Sequence, residues 1–341
     1  MTKIMVGLNL DFASGDVALR ILFRVASLGT MSADYRTITE ACGLLDRSER
    51  GKLALSGADA ATFLQGQVTN DVEGLAVGAG CYAAFLTPKG KMLGDVRILN
   101  AGDELLMDTE RVALQALFNM IRRFSLGYGV ELHKRTLERG LLSLIGPDAG
   151  AIVGLDYLPA EENAHGPASV AGIQARAIRT DVGIDLLCNA GDVEALSGGL
   201  EDAGALAVGE AAVECLRVEH GRPRYGIDLD DTVIPQEAGL NERAVSFTKG
   251  CYVGQETVAR LYYRGKPNRN LRGLRLSAPA SPGDEITFQG RVVGRVTSVA
   301  ASPRFGPIAL GFVRREAPVG TTVSVGSGDR VTGEVTELPF R

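Results

Sequence analysis

At 341 residues, with 45% hydrophobic, 6% aromatic and 23% charged residues, the chain is too long for one compact core and reads as a folded protein of two or three domains. Its net charge of −5 argues against nucleic-acid binding over the whole surface. The five cysteines, Cys42, Cys81, Cys188, Cys215 and Cys251, are scattered without a CxxC or Cys/His cluster, which points to neither a disulfide framework nor a metal cage built by this chain alone. A reducing, cytoplasmic setting fits that usage.

Residues 1–30 contain neither a basic region leading into an unbroken apolar stretch nor a run of 18 apolar residues, so they read as an N-terminal extension rather than a signal or anchor. A short strand is expected at Lys52–Leu55. It leads to a turn with Asp59 as a helix cap and an amphipathic helix through Phe63, Leu64 and Val68. The segment CYAAFLTPKGKMLGDVRIL alternates around Pro88–Lys89–Gly90, a hairpin signature. A helix is expected over about 109–124, followed by strand-like VEL and LLSLIG, so strands and helices interleave through this half. From about residue 268 short apolar runs cut by turns predict a small β-barrel.

The densest chemistry lies at 217–260. In GEAAVECLRVEHGRPRYG, Ala212, Cys215, Leu216 and Glu219 recur at i, i+3, i+4 and i+7, so Glu219 continues an apolar helix stripe and either ends in solvent or faces inward to bind something. Arg222, Arg224, Asp228 and Glu237 follow in a loop rich in charge and fixed backbone, the kind that lines sites.

KGCYVGQE, residues 249–256, sets Cys251 among polar neighbours. Its thiolate would be favoured by Lys249 and by Arg260 further along, whereas the plain alternative is a small packing residue. The other four cysteines read as packing residues. Gln255 and Glu256 either orient Cys251 or serve the following helix, Glu256 through the helix dipole. Residues 260–275 carry six cations, Tyr262, Tyr263 and no acid, which suits a solvated linker or an anion contact. His133, His165 and His220 are too dispersed for a metal site or a triad.

LRVEHGRPRYGIDLDDTVIPQEAGL followed by AVSFTKGCYVGQETVAR closely resembles the YgfZ-type folate-binding proteins, relatives of the glycine-cleavage aminomethyltransferase that support iron–sulfur enzymes. KGCYVGQE is the signature of that family, and the resemblance covers roughly residues 37–341. It implies an α+β fold of two interleaved α/β subdomains over 37–267 and a C-terminal β-barrel over 268–341, with tetrahydrofolate near the centre.

Residue by residue, the resemblance places Glu219, with Arg217 two positions before it, where the relatives hold the pterin. A carboxylate accepting two parallel N–H bonds suits the aminopyrimidine edge. Asp95 falls where the transferases carry a consecutive Asp–Asp pair that includes their catalytic aspartate, but the first member here is Gly94. Gln255, Glu256 and Arg260 are expected to contribute to the folate site, with the basic 260–275 segment meeting the anionic tail. Cys251 and Lys249 would carry the chemistry. The implied function is a folate-dependent accessory factor for iron–sulfur cluster assembly or repair, with client or assembly proteins as partners; the alternative is a folate-dependent one-carbon transferase.

Overall fold

The computed structural model describes residues 31–154, 157–327 and 331–341. The N-terminal extension proposed for residues 1–30 lies outside them. Residues 31–40 form a helix, α1.

One sheet holds β1 (Gly43–Asp46), β7 (Arg139–Ile145), β8 (His165–Val170), β9 (Ile173–Arg179), β10 (Gly183–Asn189) and β11 (Leu206–Ala207), in the order β11-β1-β7-β10-β9-β8. A second holds β2 (Gly51–Ser56), β3 (Gly80–Leu86), β4 (Met92–Asn100), β5 (Glu104–Thr109) and β6 (Glu131–Lys134), ordered β3-β4-β5-β2-β6. β1 and β2 are successive in the chain yet belong to different sheets, and after β6 the chain returns to pair β7 antiparallel with β1. The two α/β units are therefore interleaved, and residues 47–50 lie at the crossing between them.

The second sheet is covered by α2 (Ala60–Gln65) and α3 (Arg111–Phe124). Ala113, Leu114, Leu117 and Ile121 form the buried face of α3, spaced as a helical stripe must be. The helix sits close because two strand positions lack side chains. A Cβ at Gly51 would lie 2.9 Å from Leu114, and one at Gly94 would lie 2.9 Å from Leu117.

The helix expected through Val68 stops at Gln65; Val68 instead bridges Phe85. Asp59 precedes this helix without capping it, because its carboxylate accepts the Gly129 N–H at 2.7 Å. On the first sheet pack α4 (Ala149–Val153) and α5 (Val193–Asp202), with Leu196 and Leu200 buried against Leu142, Leu144 and Leu186. Further along come α6 (Glu210–Glu219), α7 (Asn241–Ala244) and α8 (Gln255–Arg264).

The C-terminal strands β12 (Arg269–Leu276), β13 (Glu285–Phe288), β14 (Arg291–Ser302), β15 (Gly306–Arg314), β16 (Thr322–Val325) and β17 (Val331–Thr336) close a barrel in the order β12-β15-β14-β13-β16-β17. Leu274, Ile286, Val296, Val313, Val323 and Val335 fill its interior. Among the described residues no helix interrupts the barrel, and none is long and apolar enough to cross a membrane.

Candidate functional site

A cavity of about 220 Å3 opens where the two interleaved units meet α6. Tyr82 on β3 and Asp95 and Arg97 on β4 form one wall; Ser143 on β7 and Asp185 on β10 form the opposite one. α6 adds Glu214 and Arg217, α7 adds Arg243, and the loops add Arg47, Arg50, Arg222 and Arg224.

The charges on these walls are joined in a chain of alternating ion pairs. Asp185 pairs with Arg97 at 2.7 Å, Arg97 with Asp108 at 2.6 Å, and Asp108 with Arg50 at 2.5 Å. Arg50 also holds Glu110, which meets Arg224 at 3.2 Å. Arg224 reaches Glu214 at 3.0 Å, Glu214 meets Arg217 at 2.9 Å, and Arg217 ends the chain on Asp228 at 2.7 Å. Asp228 is completely buried and also accepts bonds from the Thr297 and Ser298 hydroxyls of β14, so the chain runs from the first sheet through the second to the barrel. Paired cations hold Asp108 down at about 2 against a burial that raises it.

Asp95 stands apart from this chain. It is buried, and burial pushes its carboxyl up to about 6, although the Tyr82 hydroxyl donates to its Oδ2 at 2.6 Å. Arg243 lies over the Tyr82 ring and pairs with Glu162, which fixes the phenol. Among the described residues Asp95 Oδ1 bonds to no other residue, and the buried Nε of Arg97 has no acceptor. The cavity wall therefore carries a buried carboxylate whose Oδ1 accepts from no other residue among those described. Such an acceptor is what a heterocycle carrying N–H donors would satisfy.

Gly94 explains the half pair in GKMLGDV. Successive residues of β4 face opposite sides of the sheet, and position 94 faces Leu117 and Ala113 of α3. An aspartate there would sit in the helix–sheet core. The residue that faces the cavity is Asp95.

Glu219, the expected pterin acceptor, is not on the cavity wall. It is 4% exposed, and its carboxylate accepts the Tyr35 hydroxyl of α1 at 2.8 Å and the Ser302 hydroxyl of β14, with the Cys215 thiol at 3.7 Å. The stripe Ala212–Cys215–Leu216–Glu219 packs against α1, Val208 and the barrel. The cavity meets Val213, Glu214 and Arg217 of the same helix, with Leu216 and His220 also on its wall. Periodicity identified a buried face of α6, but at Glu219 that face meets α1 and the barrel rather than the cavity. Glu219→Gln should therefore leave folate affinity unchanged. Glu219→Ala strands the Tyr35 and Ser302 hydroxyls and should lower stability by about 1–3 kcal/mol, as read from thermal melts beside ligand titrations.

Arg217 does line the cavity, but its guanidinium is committed to Glu214, Asp228, Ser298 and the Arg222 carbonyl. It acts as a fastener rather than a free cation. The KGCYVGQE segment is not on the wall of this cavity either, nor is Arg260. Lys249 donates to the carbonyls of Gln65, Val68 and Asn70, which clamps the segment onto the end of α2 and the loop after it. Burial lowers its pKa to about 8. The thiol that feels Lys249 is Cys81, which burial nevertheless raises to about 12.

Cys251 is exposed, and the other four cysteines are buried. Gln255 and Glu256 occupy the first turn of α8, with Glu256 in solvent. Sequence reading did not single out Tyr82, Arg97, Asp108 or Asp185. The available signal was a charge on a buried position of an apolar strand: MLGDVRILN, ELLMDT and GIDLLCN each carry one.

The GCVT N-terminal domain model matches residues 23–249, and the glycine cleavage T-protein C-terminal barrel domain matches residues 269–341. The chain belongs to the GCVT family. It is 31% identical over 308 residues to a chloroplastic protein of Arabidopsis thaliana assigned as a transferase, covering 87% of this chain and 71% of that one. The aminomethyltransferase of Streptomyces avermitilis is 29% identical over 357 residues, covering 97% and 92% of the two chains. Among solved structures, the glycine cleavage system aminomethyltransferase T of Bartonella henselae superposes with a TM-score of 0.81 at 25% identity, covering 91% of this chain and 89% of its own. The interleaved α/β units and closed barrel are thus those of a GCVT-like protein.

Proposed function

We propose that this GCVT-family protein binds a tetrahydrofolate in the central cavity and assists the assembly or repair of iron–sulfur clusters in client enzymes through Cys251. The residues present fit the pterin: Asp95 Oδ1 supplies an acceptor for its N–H groups. Arg47 lines the cavity and pairs with no acid among the described residues, so it can meet an anionic tail. When bound, the folate would supply one-carbon or redox chemistry; Tyr82 and Arg243 hold Asp95 in place for it.

The observation that carries the cluster role is the contrast among the thiols. Cys251 alone of the five is exposed, in a loop pinned by three hydrogen bonds from Lys249. A single thiolate cannot hold a cluster that takes about four ligands. Among the described residues no group of three or more His, Cys, Asp or Glu could hold a metal ion, so the remaining ligands come from the partner or small thiols. The test is rescue of iron–sulfur enzyme activity in a strain lacking the protein. Cys251→Ser should bind tetrahydrofolate normally and give no rescue; full rescue would reject the role.

The second reading, a one-carbon transferase, is favoured by the placement of Asp95, since a buried carboxylate facing the cavity suits proton transfer at a folate nitrogen. Turnover of an aminomethyl donor with tetrahydrofolate, lost in Asp95→Asn and retained in Cys251→Ser, would establish it.

A further inference from the structure

On the surface carrying the KGCYVGQE loop, three features occur together. An apolar cleft of about 280 Å3 is lined by Leu86, Pro88, Met120, Phe124 and Val253. α8, which begins two residues after Val253, carries Tyr262 and Tyr263, 51% and 67% exposed; Tyr262 stacks on Phe247 at 3.8 Å and meets Tyr263 edge-on at 5.0 Å.

The third feature is charge. Arg260, Arg264 and Lys266 are exposed and pair with no acid among the described residues, and Glu256, one turn before Arg260, makes no ion pair with it. The remaining cations of 260–275 are employed elsewhere: Arg269 on Glu237, Arg272 on Glu337 and Arg275 on the Arg341 carbonyl and the Phe305 ring. Lys89 adds a further exposed cation, held near α8 because Gly90 packs against Thr257. A chain of net charge −5 thus carries unpaired positive charge on the helix that follows Val253 and at Lys89, next to Pro88 of the cleft.

We propose that this face receives an acidic protein segment that places one apolar side chain in the cleft between α3 and Val253 and its carboxylates against Arg260, Arg264 and Lys89. The cleft is almost wholly apolar, which suits a hydrophobic side chain and not a phosphate or a nucleobase edge. Phe247 and Tyr262 already stack on each other, so that pair of ring faces is closed to bases, whereas recognition of single-stranded RNA needs open faces. Unpaired cations on α8 and at Lys89, beside an apolar cleft that Pro88 and Val253 line, complement a segment of opposite charge.

Cys251 lies two residues from Val253 and four from Phe247, within about 7 Å and 14 Å by chain length, so a docked segment sits beside its thiol. The docking face rests on geometry alone. Combined with the reading of Cys251 above, it is where a client would present itself.

The experiment uses the full chain and three synthetic peptides, each with a central Phe and a terminal cysteine activated as its thionitrobenzoate disulfide. One carries glutamates, one is neutral and one carries lysines. Cys251 attacks the peptide sulfur, a mixed disulfide forms and thionitrobenzoate leaves and is read by absorbance, so the rate reports docking. The glutamate peptide should react about tenfold faster than the neutral one, with the advantage lost in high salt and in Arg260→Glu/Arg264→Glu. Replacing its Phe with Gly should also remove most of the advantage. Reaction with a small aromatic disulfide should be the same in wild type and variant, which shows that the thiol itself is intact.

Equal rates for the three peptides, or suppression of the reaction by an RNA oligonucleotide more strongly than by a cysteine-free glutamate peptide, would overturn the docking face. Neither result bears on tetrahydrofolate titration or on the Cys251→Ser rescue assay, so the two readings fail separately.

Discussion

Asp228→Ala is expected to lower the stability of the folded chain by about 3–5 kcal/mol, the cost of stripping one partner from a buried ion pair. The side chain is fully buried, and four donors converge on it: the Arg217 guanidinium at 2.7 Å, the Arg224 backbone N–H at 3.0 Å, and the hydroxyls of Thr297 and Ser298. Removing the carboxylate leaves the Arg217 charge without its buried counter-ion at the junction of α6, the 222–228 loop and the barrel. Asp228→Asn keeps an acceptor and should lose less. The measurement is the midpoint of urea unfolding followed by far-UV circular dichroism. A shift worth less than about 1 kcal/mol for Asp228→Ala would show that water replaces the carboxylate and that the junction is held by packing alone.

Much of the frame that carries this junction can be read from sequence, because it follows from local rules. The hairpin at Pro88–Lys89–Gly90, the α3 stripe and the turn-cut strands after residue 268 each declare themselves through period and punctuation. The ion-pair chain does not. Arg97 and Asp108 are cross-strand partners of β4 and β5 and Arg50 abuts the β2–β5 pairing, but Asp185 lies up to 135 residues away (185 − 50), and only the interleaving of β1 with β7 brings it to them.

The same limit explains Glu219 and Lys249. A stripe on α6 shows that a side is buried but not whether it meets a cavity or the Tyr35–Ser302 pair, which lie 184 and 83 residues away. Lys249 is adjacent to Cys251 in sequence, yet its ammonium turns to three carbonyls at the end of α2 and in the loop after it. Proximity along the chain is a weak guide to where a long side chain finds its partners.

Asp95→Asn should change stability and ligand affinity in opposite directions. The Asp95 carboxyl is raised from 3.8 to about 6 by burial, so between about pH 4 and 6 the folded chain holds a proton that the unfolded chain has released. The contribution of this group to stability is therefore largest below about pH 4 and declines as pH rises through 6. At about 1.4 kcal/mol per unit the total loss is about 3 kcal/mol, and it persists at neutral pH. Asn carries no charge to desolvate and still accepts from Tyr82, so Asp95→Asn should raise the unfolding midpoint at pH 7.5 and change it little at pH 4. A pterin that donates N–H groups to Oδ1 offsets the same penalty in the wild type, because it stabilises the ionised carboxylate. Binding at pH 6 should then release a proton, visible as a dependence of the calorimetric heat on buffer ionisation enthalpy. In Asp95→Asn that dependence should vanish and tetrahydrofolate should bind roughly ten- to a hundredfold more weakly, the loss of one charge-assisted hydrogen bond worth about 1.5–3 kcal/mol. A variant that is no more stable than wild type at neutral pH would mean that water reaches the carboxylate, and a variant that binds tetrahydrofolate as tightly as wild type would place the pterin elsewhere in the cavity.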